Sequence, residues 1–170
     1  MNPSSKISQE LGNVRNSNNP WVDRIYLVDD HPFFATALAS LINTEADMSV
    51  CGHGSDFAKI LADVVQFTPD ILVMDVNLSS RNNWMLAIEL RKLSKSVPLL
   101  FVSSLQNPQV EMGLKWLEPC SFVEKTKDPA DIIKAIRQTL VKLRLFQSLH
   151  PAGQSSLKRE TQREQNHPGS

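Results

Sequence analysis

Five short apolar runs, separated by longer amphipathic stretches, restrict most strongly the folds that this chain can adopt. The clearest is Ile71-Leu72-Val73-Met74, which has an aspartate at each end, Asp70 and Asp75. Four consecutive apolar residues bounded in this way are typical of a strand covered on both faces. Weaker or similar runs lie at residues 24–28, 48–51, 98–102 and 121–124. The sequence therefore predicts a sheet buried between two layers of other elements.

The stretches between these runs carry apolar residues at helical spacing. Helices are predicted to begin near Pro32, Asp56, Trp84, Asn107 and Pro129. Strand and helix alternate five times, which favours a parallel sheet with helices on both faces. The second strand is predicted to end at Gly52, because glycine weakens a strand.

Polar residues follow four of the five predicted strands directly. Asp29 and Asp30 follow the first strand, Asp75 ends the third, Ser103 follows the fourth and Lys125 follows the fifth. Because the carboxyl ends of parallel strands share one edge of a sheet, we expect these side chains to converge.

The chemistry of this set points to phosphoryl transfer. Carboxylates packed together repel one another, and Mg²⁺, which prefers oxygen ligands, relieves the repulsion. A lysine beside them adds positive charge for an incoming phosphoryl group. An aspartate can act as the nucleophile and form an acyl phosphate.

These residues resemble the receiver domains of bacterial two-component response regulators. The resemblance covers residues 23–143 and implies a flavodoxin-like (βα)5 fold, a doubly wound parallel sheet with strand order 2-1-3-4-5. The Asp-Asp-His-Pro start is most similar to receivers of the helix-turn-helix (NarL/FixJ-like) subfamily. Four motifs carry the resemblance, in the family's order and approximate spacing: Val28-Asp29-Asp30-His31-Pro32, Met74-Asp75-Val76-Asn77-Leu78, Val102-Ser103-Ser104 and Phe122-Val123-Glu124-Lys125.

The resemblance implies a phosphoacceptor and a magnesium site. Asp75 would accept the phosphoryl group. Mg²⁺ would be held by Asp75, by Asp30 as a direct ligand, by Asp29 through a water, and by the backbone carbonyl of Asn77. His31 is expected to start a helix near the site rather than to bind the metal.

The resemblance also implies residues that respond to phosphorylation. Ser103 would bond to the phosphoryl group and Lys125 would pair with its oxygens, while Phe122 would change rotamer together with Ser103 as a switch. The small Ser104 would admit the phosphoryl group. Leu105 is apolar and would hinder the attacking water, which predicts slow dephosphorylation.

The composition of the chain argues against several classes of function. The 18 lysines and arginines balance 18 aspartates and glutamates, so no overall field would attract nucleic acid or an anionic membrane. Two cysteines are too few for a disulfide framework, and no apolar run is long enough to span a bilayer. We therefore expect a cytoplasmic protein that neither binds nucleic acid directly nor associates with a membrane.

Composition also divides the chain. The polar residues 1–21 are predicted to be a disordered tail, residues 22–146 the receiver domain, and residues 147–170 a polar tail or a truncated linker. The expected phosphoryl donor is a sensor histidine kinase or a histidine phosphotransfer protein, and an output domain is possible beyond this chain. A homodimer is expected through an apolar set on the last helix: Leu140, Val141, Leu143, Leu145 and Phe146.

Three other functions were compatible with parts of this pattern. A phosphohydrolase of the haloacid dehalogenase type would need a second aspartate where Asn77 stands, so turnover of outside substrates is not expected. A cobalamin-binding module would need glycine in place of Phe34. A pseudo-receiver, which keeps the fold but serves only in protein interaction, would predict no metal-dependent phosphorylation. Beyond its own phosphotransfer and autodephosphorylation, the chain is not expected to be an enzyme.

Overall fold

The computed structural model describes residues 22–76, 83–93, 97–104, 117, 119–125 and 128–149. The helix predicted to begin at Asn107 lies outside these ranges, as do residues 1–21 and 150–170 of the predicted tails. The strands are β1 (Asp23–Val28), β2 (Met48–Gly54), β3 (Ile71–Asp75), β4 (Leu99–Ser103) and β5 (Cys120–Glu124). The helices are α1 (Pro32–Ile42), α2 (Phe57–Phe67), α3 (Asn83–Leu93) and α4 (Ala130–Leu149).

All five strands pair in parallel, in the order β2-β1-β3-β4-β5. This confirms the predicted strand order and the flavodoxin-like architecture. Every residue of β3 and β4 is buried, as their unbroken apolar runs predicted. These two strands therefore form the centre of the sheet, with β1 beside β3.

Two apolar layers cover the sheet, one on each face. Along β1, Ile25 and Leu27 face one layer, whereas Tyr26 and Val28 face the other, as the two-residue repeat of a strand requires. The first layer contains buried residues of α1 and α4, and the second contains those of α2 and α3. The described helices therefore cover both faces of the sheet.

The helix starts follow the sequence signals. Pro32 occupies the first turn of α1, where its missing N–H costs no hydrogen bond. Asp56 caps α2: its side chain accepts a hydrogen bond from the backbone N–H of Lys59 at 2.8 Å. α4 continues to Leu149, beyond the predicted domain end at residue 146. Among the described residues, no helix is both long enough and apolar enough to cross a lipid bilayer.

The predicted end of the second strand was wrong, because β2 continues through Gly52 to Gly54. The fully buried ring of Tyr26 explains the glycine: a Cβ at position 52 would lie 2.8 Å from Tyr26 Cε2 and 3.1 Å from the Phe67 ring. The Tyr26 hydroxyl donates a 2.6 Å hydrogen bond to Asp63 on α2, and burial raises the pKa of this hydroxyl. Gly52 therefore makes room for a neighbouring ring and does not terminate the strand.

We expect Gly52→Ala to lower the free energy of unfolding by about 1–3 kcal/mol, because the added methyl group overpacks the space against Tyr26. In a Tyr26→Leu background the same substitution should cost less, since most of the clashing ring is gone. Urea unfolding of the four proteins in this cycle measures the difference. An equal cost in both backgrounds would contradict the explanation.

Candidate functional site

Four of the predicted site residues sit at the carboxyl edge of the sheet. Asp75 is the last residue of β3 and Ser103 is the last residue of β4, and both are buried. Asp29 follows β1 directly, and Lys125 follows β5 directly. The strand register aligns these ends, with Val28 opposite Met74 and Asp75 opposite Val102. Parallel pairing thus brings together residues that are far apart in the sequence.

Lys125 links two of the carboxylates. Its Nζ donates hydrogen bonds to Asp75 Oδ2 at 2.7 Å and to Asp29 Oδ2 at 3.1 Å. Its side chain is 14% exposed, while those of Asp29 and Asp75 are 6% and 1% exposed. The backbone N–H of Lys125 also donates to the carbonyl of Ser103 at 2.6 Å, which ties the end of β5 to the end of β4. The ammonium therefore partly neutralises a nearly dry pair of carboxylates.

His31 lies closer to this cluster than the sequence predicted. It occupies the N-cap position of α1, so the expectation of a helix-start residue is confirmed. Its ring Nδ1, however, lies 3.0 Å from Asp30 Oδ1, 3.2 Å from Asp29 Oδ1 and 3.6 Å from Asp75 Oδ2. The backbone N–H of His31 donates to Asp29 Oδ1 at 2.7 Å, which holds the imidazole beside the acids. Its place directly after Asp29-Asp30 was the available sequence signal.

The donor set suits a hard divalent cation. One ligand atom from each of Asp29, Asp30, His31 and Asp75 lies within 4.8 Å of the other three. The three carboxylates supply the oxygen ligands that Mg²⁺ takes in proteins, together with retained water. The residues present therefore fit a magnesium ion. Asn77, whose carbonyl was the remaining expected ligand, lies outside the described residues.

The residues expected to respond to phosphorylation lie on or beside the last two strands. Phe122 on β5 is half-buried, and its ring stacks on Phe101 of β4 with centroids 5.4 Å apart. Ser104 is exposed and follows the buried Ser103 directly. Leu105 lies outside the described residues.

Phe34 is the site residue that sequence reasoning assigned no role. It lies on α1, and its ring centroid is 4.0 Å from Lys125 Nζ. Nothing in the local sequence signals this contact, because Phe34 fits the helical spacing of α1 as an ordinary core residue.

Comparisons with known proteins agree with this geometry. The sequence profile of the family described as response regulator receiver domain matches residues 25–137. A protein-glutamate methylesterase/protein-glutamine glutaminase from Pyrococcus abyssi is 30% identical over 95 residues, which are 56% of this chain and 26% of that protein. The response regulator protein VraR from Staphylococcus aureus is 24% identical over 117 residues, 68% of this chain and 56% of VraR. The match thus spans 26% and 56% of the lengths of these relatives.

Solved structures show the same fold. A LuxR-family two-component response regulator from Aurantimonas sp. SI85-9A1 is 26% identical with a TM-score of 0.66, over 71% of this chain and 86% of that chain. The response regulator domain of Thermotoga maritima CheB is 22% identical with a TM-score of 0.62, over 70% of this chain and 96% of that chain.

We expect Asp30→Asn to stabilise the metal-free protein and to abolish its response to Mg²⁺. The substitution removes one of three clustered negative charges at nearly constant size. The free energy of unfolding should rise by about 1 kcal/mol in EDTA, the scale of one partly solvated like-charge pair. Excess MgCl₂ should stabilise the wild type, because a cation that binds only the folded state shifts the unfolding equilibrium.

Urea unfolding with EDTA and with MgCl₂ measures both effects. Asp131→Asn, at an exposed position in the first turn of α4, is the matched control and should retain the Mg²⁺ response. A Mg²⁺ response that survives in Asp30→Asn would count against a metal site at this cluster.

Proposed function

The chain belongs to the response regulator receiver family, and we propose that it serves as a phosphoacceptor that carries the phosphoryl group on Asp75. The observation that supports this assignment is the 2.7 Å contact between the buried Asp75 carboxylate and the Lys125 ammonium. A carboxylate at the end of a strand, next to a cation that can receive phosphoryl oxygens, supplies the nucleophile and the counter-charge that in-line transfer needs.

In the proposed reaction an oxygen of the Asp75 carboxylate attacks the phosphorus of a phosphohistidine. An O–P bond forms as the P–N bond breaks, and the imidazole of the donor leaves. Asp75 thereby becomes an acyl phosphate. Lys125 pairs with an oxygen of the transferred group, and the hydroxyl of Ser103 donates a hydrogen bond to another.

The acidic cluster would hold Mg²⁺ for this step. Asp75 and Asp30 would hold the ion, Asp30 as a direct ligand, and Asp29 would bind it through a water. The backbone carbonyl of Asn77 would be a further ligand. When bound, the ion neutralises negative charge that the carboxylates and the phosphoryl oxygens share. Lys125 already offsets part of this charge in the metal-free protein, since it contacts both Asp29 and Asp75.

We propose that phosphorylation is relayed through the last two strands. The hydrogen bond from the Lys125 N–H to the Ser103 carbonyl couples the end of β5 to the end of β4. The ring of Phe122, stacked on Phe101, lies on β5 close to this link. A shift of Ser103 and Lys125 towards the phosphoryl group would therefore alter the surroundings of Phe122. Ser104 would leave room for the phosphoryl group, and Leu105 would hinder the attacking water.

The proposed phosphoryl donor is a sensor histidine kinase or a histidine phosphotransfer protein. Homodimerisation through α4 stays a prediction. Leu140 was wrongly included in the expected dimer face, because it is buried in the core, whereas the exposure of Val141 (53%) and Leu145 (59%) supports the prediction. An output domain beyond this chain is also a proposal, since VraR is nearly twice as long as the region it shares with the chain.

Intact-mass measurement after incubation with acetyl phosphate and Mg²⁺ tests the phosphoacceptor role. The wild type should gain a single phosphoryl group, whereas Asp75→Asn and samples in EDTA should gain none. Asp63→Asn is the control for a buried carboxylate away from the site, because Asp63 bonds to Tyr26 on the α2 face; it should still be phosphorylated. A folded wild type that gains no adduct would overturn the proposal and favour a pseudo-receiver that acts only in protein interaction.

A further inference from the structure

Phe34 forms a third side of the site around the Lys125 ammonium. Two carboxylates, Asp75 and Asp29, accept hydrogen bonds from Nζ, and the Phe34 ring centroid lies 4.0 Å from the same atom. The lysine side chain is 14% exposed, so little water reaches the ammonium. A cation at this distance from a ring is attracted by the negative face of the ring.

We propose that Phe34 is a positioning residue for phosphoryl transfer, which holds the Lys125 ammonium beside Asp75 through a cation–π contact. The inference rests on the proposed function, because it assigns Phe34 a part in the same reaction.

The packing of α1 fixes the orientation of the ring. Phe34 is half-buried and packs against the apolar layer that α1 and α4 form over the sheet. It lines a small pocket with Leu38, Val73 and Val102, and this pocket also reaches Asp29 and Asp75. The adjacent Phe33 is 93% exposed, so the two phenylalanines have different environments. Of these two rings, that of Phe34 lies against the lysine ammonium.

The contact matters because the other partners of the ammonium change during the reaction. When an oxygen of Asp75 bonds to phosphorus, that carboxylate loses its full negative charge and attracts Lys125 less. The ring of Phe34 carries no charge that the reaction alters. It can therefore hold the flexible lysine stem in place while Nζ exchanges a carboxylate oxygen for a phosphoryl oxygen. Because the side chain is already restricted before the reaction, less rotamer freedom is lost in the transition state.

Substitutions at Phe34 distinguish the effect of the aromatic ring from the effect of side-chain size. With acetyl phosphate and Mg²⁺, Phe34→Leu should lower the rate constant for phosphorylation of Asp75 by about threefold to tenfold, the range expected for loss of a partly buried cation–π contact. Phe34→Tyr keeps the aromatic face and should stay close to the wild-type rate. Phe33→Leu is the matched control on the adjacent exposed residue and should leave the rate unchanged.

Fluorinated phenylalanines at position 34 test the electrostatic origin of the effect. Fluorine withdraws negative charge from the ring face and changes the ring volume little, so a packing role would not respond to it. We expect the logarithm of the rate constant to fall steadily with the number of fluorines. A rate that is independent of fluorination would overturn the inference.

NMR of the unphosphorylated protein checks the contact itself. The protons next to Lys125 Nζ should show an upfield ring-current shift in the wild type that is lost in Phe34→Leu; its absence from the wild type would overturn the inference. The two proposals fail differently. A wild type that is never phosphorylated overturns the proposed function and the role of Phe34 with it. If the wild type is phosphorylated but the rate constant does not depend on fluorination of the ring at position 34, only the role of Phe34 is overturned.

Discussion

The Lys125 ammonium lies between the carboxylates of Asp29 and Asp75, and the rest of the site is arranged around this contact. It joins the ends of β1, β3 and β5 at the carboxyl edge of the sheet. Without a counter-charge, two carboxylates as buried as these would be costly to bring together. The lysine reduces that cost in the absence of metal, yet as a single cation beside three clustered aspartates it leaves negative charge for a divalent ion to neutralise. The same balance is what the proposed transfer of a phosphoryl group to Asp75 would require.

The sheet is what makes the contact possible. Every residue of β3 and β4 is buried, and the two strands pair in one parallel register. Asp75 and Ser103 therefore lie at fixed positions at the strand ends. Helices on both faces bury the residues of these two strands. The hydrogen bond between the Lys125 N–H and the Ser103 carbonyl then ties the cation to the neighbouring strand. A change at the acidic cluster is thus placed to reach β4 and β5.

The sequence predicted the elements whose signals are local. Runs such as Ile71–Met74 marked buried strands, and the polar residues that end them marked the edge where Asp29, Asp75, Ser103 and Lys125 meet. The end of β2 was mispredicted because Gly52 is needed to make room for the ring of Tyr26. A packing contact with a residue on another strand does not change the hydrophobic periodicity of the sequence. For the same reason the contact of Phe34 with Lys125 was not foreseen, whereas His31 was expected near the site from its place after Asp29-Asp30. Helical spacing assigns a face to each residue, whereas the side-chain contacts depend on the neighbouring strands.

The most direct test of Asp75 as the phosphoacceptor is chemical identification of the modified residue. Borohydride reduces an acyl phosphate on aspartate to homoserine but leaves phosphoserine and phosphothreonine intact. The protein would be phosphorylated with acetyl phosphate and Mg²⁺, reduced, digested and sequenced by mass spectrometry. The account predicts that Asp75, and no other aspartate, is converted to homoserine. Conversion at a different aspartate, or phosphate that survives reduction on a serine or threonine, would contradict it.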